Sequence, residues 1–356
     1  MLILEFVIAF GLLVFLHELG HFLVTRLFGI EVEEFGFGYP PRLAKLFTWK
    51  GTEITLNWIP FGGFVRPKGE NDPEIPDGLG AANPWKRLGV ALAGPVMNLL
   101  LGVIIFTVVF MKLGMPQTSI VTIVDVNANS PAETAGIMPE DVILRVNETS
   151  IDSMSALADA VKANLGEEIL IEYERGGQRF ETRAVPRVNP PEGEGSLGIV
   201  MGNPVINMNV IQAVPYAFQA VYEQGRQLVL LPGRLIQGEV QPEEARFVGP
   251  VGIYSMYEQA READVEATAE PQAQQIPAIN TLALMGIITV ALGLTNLLPI
   301  LPLDGGRILF TLPEILFKKR VPVKFENYLN AISFFILIFL MIYITTQDII
   351  NPIVVP

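Results

Sequence analysis

The chain has 356 residues, half of them hydrophobic and 17% charged, with a net charge of −13 and a mean hydropathy of +0.42. Soluble globular proteins are rarely so apolar, and so acidic a chain lacks the basic footprint of nucleic-acid binding, so a membrane protein with no nucleic-acid partner is expected. Cysteine is absent, which excludes disulfides and thiolate ligands and leaves the redox compartment open.

Four stretches, 2–28, 88–111, 281–303 and 328–345, are apolar and near the roughly 20 residues a helix needs to cross a hydrocarbon core. The first sits where a signal peptide would, but it has no basic leader and no small-residue cleavage site, so it is expected to be retained. Both histidines of the chain lie within it, in His17-Glu18-Leu19-Gly20-His21. On a helix, positions i and i+4 share a face, about 6 Å apart along the axis, so both imidazoles can reach one ion. The string is the H-E-x-x-H zinc motif, in which Glu18 would handle the proton of an activated water. Buried ionisable residues are costly in a membrane, and three within one and a half turns argue against chance.

Residues 29–87 follow on what charge places as the cytoplasmic side. Two Phe- and Gly-rich strings, Phe35 to Tyr39 and Phe61 to Val65, flank an alternating segment whose Thr52, Ile54, Leu56 and Trp58 would share one strand face. The pattern fits a membrane-associated β-element whose edge could hold an extended peptide, and equally a small meander that covers the helices. Residues 71–84 read as a loop. The second span, 88–111, follows.

The segment 112–280 carries 11 Lys or Arg against 23 Asp or Glu, nearly the whole net charge. It is expected to be extracytoplasmic. The string Ser130 to Asn147 (SPAETAGIMPEDVILRVN) resembles the PDZ signature of bacterial proteases, with a strand at 120–126 before it, a helix at 153–164 after it, and strands at 168–174 and 178–186 around Gly176-Gly177. The unit is set at 118–187. Glu140 stands where that signature usually has glycine, which puts the local turn in doubt. Such domains can bind a peptide terminus by strand addition, or act only as a steric plug. Residues 188–280 read as a linker plus an amphipathic helix at 210–236 lying in the outer interface, its charges arguing against a fifth span. Residues 261–277 read as a loop or short helix.

Two histidines leave a catalytic zinc site one ligand short. The third apolar stretch, 281–303, runs into Asn296-Leu297-Leu298-Pro299-Ile300-Leu301-Pro302-Leu303-Asp304-Gly305-Gly306. The prolines break the helix and the glycines let the chain bend, so Asp304 can point sideways as the third ligand, or else merely cap a helix end. Residues 304–327 form a loop with Arg307, Lys318, Lys319, Arg320 and Lys324, and 328–345 is the last span. The positive-inside rule puts that basic loop in the cytoplasm and both termini outside.

Together with Ala93-Gly94-Pro95-Val96-Met97-Asn98 and Phe247-Val248-Gly249-Pro250-Val251-Gly252, these strings resemble the site-2 protease family over almost the whole chain, specifically its bacterial single-PDZ, regulator-of-sigma branch. The resemblance implies a multi-pass plasma (inner) membrane protein with four transmembrane helices, a membrane-associated β-element and one extracytoplasmic PDZ-like α+β domain. It also implies a Zn²⁺ metalloprotease that cleaves single-span proteins inside the bilayer after another protease has trimmed their outer parts. Carried over by motif, His17, His21 and Asp304 are metal ligands, Glu18 is the catalytic base, and Asn296 contacts substrate or the developing oxyanion. Ala93-Gly94-Pro95 would be a close-packing point and Asn98 would face inward. The competing readings are a catalytically inactive PDZ-containing membrane scaffold, a metal transporter, and a zinc peptidase with its site outside the membrane. The intact motif, the single site and its apolar setting argue against them in turn.

Overall fold

The computed structural model describes residues 1–239, 246–269 and 278–352. Contacts divide them into two units: Met1–Lys112 with Asn209–Pro356, and Leu113–Met208.

The first unit begins with helix α1, Leu2–Leu27, which ends before Gly29 at φ +76°. Strands β1 (Val32–Trp49) and β2 (Thr52–Pro67) form a hairpin whose turn, Lys50-Gly51, has both φ angles positive, the geometry that matches strand twist. Gly36 pairs with both Thr55 and Phe64, so the long hairpin folds back on itself and the segment from Gly63 to Pro67 lies along β1. Phe22, Val32 and Phe35 pack this sheet against α1. The expected sharing of one face by Thr52, Ile54, Leu56 and Trp58 is corrected by the burial pattern. Thr52, Thr55 and Asn57 are the buried positions, while Leu56 and Trp58 are exposed. Thr55 donates to Glu34, and Asn57 to the Phe37 and Gly38 carbonyls, so hydrogen bonding rather than apolarity decides which face turns inward. Helix α2, Pro84–Leu113, starts on a proline, whose missing N–H costs nothing there.

The second unit contains β3 (Met115–Pro116), β4 (Val121–Val126), helix α3 (Pro131–Thr134), β5 (Val142–Val146), β6 (Thr149–Ser150), helix α4 (Met154–Lys162), β7 (Ile169–Arg175), β8 (Gln178–Ala184), β9 (Ile199–Gly202) and β10 (Val205–Ile206). Ser130 and Ser153 cap the two helices with their hydroxyls. The main sheet runs β8-β7-β5-β4-β9 over a core that includes Val121, Ile123, Leu157, Ile169 and Ile171. The expected boundary at residue 187 is wrong: β9 pairs with β4, so the unit continues to Met208. At four residues, Ile199–Gly202, β9 is too short to read as a strand without its partner. Glu140 adopts φ +73°, so the turn forms in the left-handed conformation despite the missing glycine. The next residue, Asp141, is fully buried and is held by two hydrogen bonds from Arg175 of 2.6 and 2.7 Å.

The chain returns to the first unit with α5 (Val210–Gln237), α6 (Pro250–Ala269), α7 (Ile279–Asn296), α8 (Asp304–Phe317) and α9 (Val323–Ile350). An Asn209–Gln212 capping box starts α5, which packs through Ala217 on Phe106 and Val290. Asp348 of α9 accepts the Gly249 and Gly252 amides at 2.9 Å each, and so caps the start of α6 from another helix. Asp264 of α6 does the same for α7, accepting from the Asn280 and Thr281 amides. Of residues 261–277, expected as loop or short helix, 261–269 belong to α6 and 270–277 lie outside the described residues.

Among the described residues, four helices are long and apolar enough to cross a membrane: α1, α2, α7 and α9. Two expectations are corrected here. The third span does not reach residue 303, because α7 stops at Asn296 before Pro299. The basic segment 304–327 is not simply loop either, since α8 occupies its first 14 residues.

Candidate metal centre

His17 and His21 are buried on the face of α1 that meets α2. Two glycines allow that approach. A Cβ on Gly20 would strike the Ala93 carbonyl, and one on Gly94 would strike His21 Nε2 and lie 2.7 Å from His17 Nε2. Asp304 reaches the pair from the first residue of α8. Gly305 and Gly306 do not bend the chain as expected; they lie inside α8, and side chains there would strike the Leu298 carbonyl and the Leu301 side chain. Their role is to let α8 seat tightly on the turn that follows α7, which fixes Asp304.

The structure brings the three predicted ligand residues together. His17 Nε2 lies 3.1 Å and His21 Nε2 3.3 Å from Asp304 Oδ2, and the two Nε2 atoms are 3.2 Å apart. A tetrahedral zinc ion with ligand bonds of about 2.0–2.1 Å requires donors spaced at about 3.3 Å, so the donor set fits the metal in kind and in spacing. His21 Nδ1 lies 2.7 Å from the Val90 carbonyl, which assigns the proton to Nδ1 and leaves the Nε2 lone pair free for an ion. The carboxylates that follow α1 in the chain, Glu31, Glu33 and Glu34, are engaged elsewhere, by Lys68, Arg66 and both Arg42 and Arg66.

A cavity of about 430 Å³ opens onto these residues, and Glu18, Asn98 and Asn296 line it. Gly63, Phe64 and Val65 form part of its wall, and Gly63 approaches Glu18 closely enough that a Cβ would lie 3.4 Å from its Cγ. Tyr39 also faces the cavity; burial, together with the Glu18 and Asp304 charges, pushes its phenol up, so it remains a hydrogen-bond donor. Two features were not found by sequence reasoning. The Val90 carbonyl is backbone and leaves no signal. Arg307, assigned to the basic loop, lines the cavity and pairs with Glu70; its signal was the i+3 spacing from Asp304, legible only once α8 is known to be a helix.

Peptidase family M50 matches residues 5–340. A Clostridium perfringens protein, named provisionally as a zinc metalloprotease, is 32% identical over 99% of this chain and 100% of its own length. The zinc metalloprotease RasP of Shouchella clausii is 27% identical over 98% of each chain, and the chloroplastic membrane metalloprotease ARASP of Arabidopsis thaliana is 28% identical over 97% of this chain and 78% of its own. Among solved structures, the PDZ domain of an SdrC-like protein from Listeria monocytogenes aligns with 23% of this chain and 87% of its own, at 18% identity and a TM-score of 0.21. With a match that runs through both histidines, the second apolar helix and Asp304, the chain belongs to peptidase family M50, the site-2 proteases, and is a zinc metalloprotease.

Proposed function

We propose that His17, His21 and Asp304 hold the zinc ion of an intramembrane endopeptidase, with Glu18 moving the proton. The observation that carries this is the convergence of one atom from each of the three residues within 4.8 Å, on a cavity that Glu18 also lines. Zinc at such a site supplies Lewis acidity, which acidifies a water and polarises a carbonyl. The Glu18 carboxylate takes one proton from the attacking water as its oxygen bonds to the peptide carbon. It returns that proton to the nitrogen as the C–N bond breaks.

The substrates are transmembrane segments of single-span proteins, such as anti-sigma factors or signal-peptide remnants, pre-trimmed by another protease. A helix must unwind before its carbonyls can be attacked, and the edge from Gly63 to Pro67 is positioned beside Glu18 to pair with the extended strand. Asn296 supports the same strand from the end of α7. The acidic composition of residues 113–208 and the basic residues after α7 support a plasma-membrane orientation with both termini and the PDZ-like domain outside. There that domain would meet a trimmed substrate end. The test is Glu18→Gln: turnover should vanish while zinc content stays that of the wild type, and turnover above a few per cent would remove Glu18 from this role.

A further inference from the structure

Asn98 is 1% exposed, and both polar atoms of its side chain are buried without a hydrogen-bond partner among the described residues. Leaving an amide donor and acceptor unpaired in an apolar interior is costly, so such a group in a folded protein calls for an explanation. Its position is enforced. Asn98 lies one turn beyond Gly94, the residue that abuts both histidine Nε2 atoms, and it lines the same cavity as Glu18 and Asp304. On its other side Gly293 of α7 leaves space only for close packing, since a Cβ there would lie 3.2 Å from Asn98 Cβ.

We propose that Asn98 is a substrate-binding residue whose amide pairs with the main chain of the unwound peptide next to the scissile bond. This rests on the intramembrane peptidase reading above. An unwound segment in an apolar surrounding exposes C=O and N–H groups that water cannot satisfy. A carboxamide presents one donor and one acceptor in the same spacing as a peptide group, so a single side chain can pair with both. Both unpaired atoms of Asn98 are thereby accounted for. A bond to His17 Nδ1, which is also buried and without a partner among the described residues, would engage only the Oδ1 atom.

The test uses the full-length protein in detergent and a synthetic transmembrane peptide that the wild type cuts; failure of the wild type to cut any such peptide counts against the peptidase reading rather than against Asn98. In Asn98→Leu, zinc content should be unchanged and kcat/KM should fall roughly 10- to 100-fold, as for one lost pair of hydrogen bonds. Asn98→Gln, which keeps the amide one methylene further out, should recover part of the loss. Replacing single peptide bonds of the substrate by esters should slow the wild type at one position near the cleavage site, and Asn98→Leu should be insensitive at that position. Undiminished kcat/KM in a folded Asn98→Leu protein overturns the proposal. Loss of zinc in both variants also overturns it, because the amide would then serve His17. If Asn98→Leu does not fold, the ester scan on Asn98→Gln decides: an unchanged ester profile rejects the contact.

Discussion

Gly94 on α2 stands against His21 on α1 with no space for a side chain between its backbone and the imidazole Nε2. This closeness makes Gly94 a more exacting position than the small-residue helix packing that its Ala-Gly-Pro context suggests. In Gly94→Ala, the methyl group would occupy the space beside both ring nitrogens, so zinc occupancy should fall and turnover should drop at least about a hundredfold. Metal analysis of the folded variant checks this; normal occupancy with normal turnover would mean that the helices separate to admit the methyl at no cost.

Asp304→Asn should weaken zinc binding by about a hundredfold or more, because a neutral amide is a poor ligand for a dication. Asp304→Glu should retain some metal but displace it by about one methylene, enough to impair attack. Zinc titration of both variants separates ligation from helix capping. Full occupancy and turnover in Asp304→Asn would leave the residue as only the first of α8.

Topology can be read from three fusions. Reporters placed after Thr345 and between Glu140 and Glu194 should report the outside of the cell, and one at Lys319 the inside. A cytoplasmic signal from the Glu140–Glu194 insertion would reverse the orientation and remove the idea that this domain meets trimmed substrate ends.

Glu140 is exposed and holds φ +73°, a conformation that costs a residue with a side chain about 1–2 kcal/mol. Glu140→Gly removes that cost and loses part of the gain to the freer unfolded chain, so the second unit should gain roughly 0.5–1 kcal/mol. Hydrogen exchange of the β4 and β5 amides in the intact protein should slow accordingly. Faster exchange would show that the Glu140 side chain contributes to the turn.

The proposed metal ligands and base were the most legible part of the sequence. H-E-x-x-H carries its own geometry, since two histidines four apart on a helix need no knowledge of the rest of the fold. Asp304 was legible for a different reason: the prolines around it mark a broken helix, and a zinc site with two histidines demands another ligand. The glycines were misread at Gly305 and Gly306, because sequence shows a missing side chain but not the carbonyl that fills its place. β9 was missed for a related reason. A four-residue strand has no periodicity to detect, and its identity comes from β4, more than seventy residues earlier. The buried polar face of Thr55 and Asn57 was likewise hidden, since hydrophobic alternation cannot say that Glu34 and two carbonyls wait opposite.

Asp348 gives the end of the chain an influence on its centre. The last turns of α9 hold the acceptor on which α6 begins; α6 in turn holds Asp264, the acceptor on which α7 begins; and α7 ends at Asn296, on the wall of the cavity that Glu18 and Asp304 also line. Each junction is a carboxylate on one helix receiving the first free amides of the next, so three helices are started in relay rather than independently. A chain cut before Asp348 would keep every residue of the proposed zinc site and still lose the first link of that relay. The last turn of α9, remote in sequence from the proposed ligands His17 and His21, therefore belongs to the framework of the candidate site.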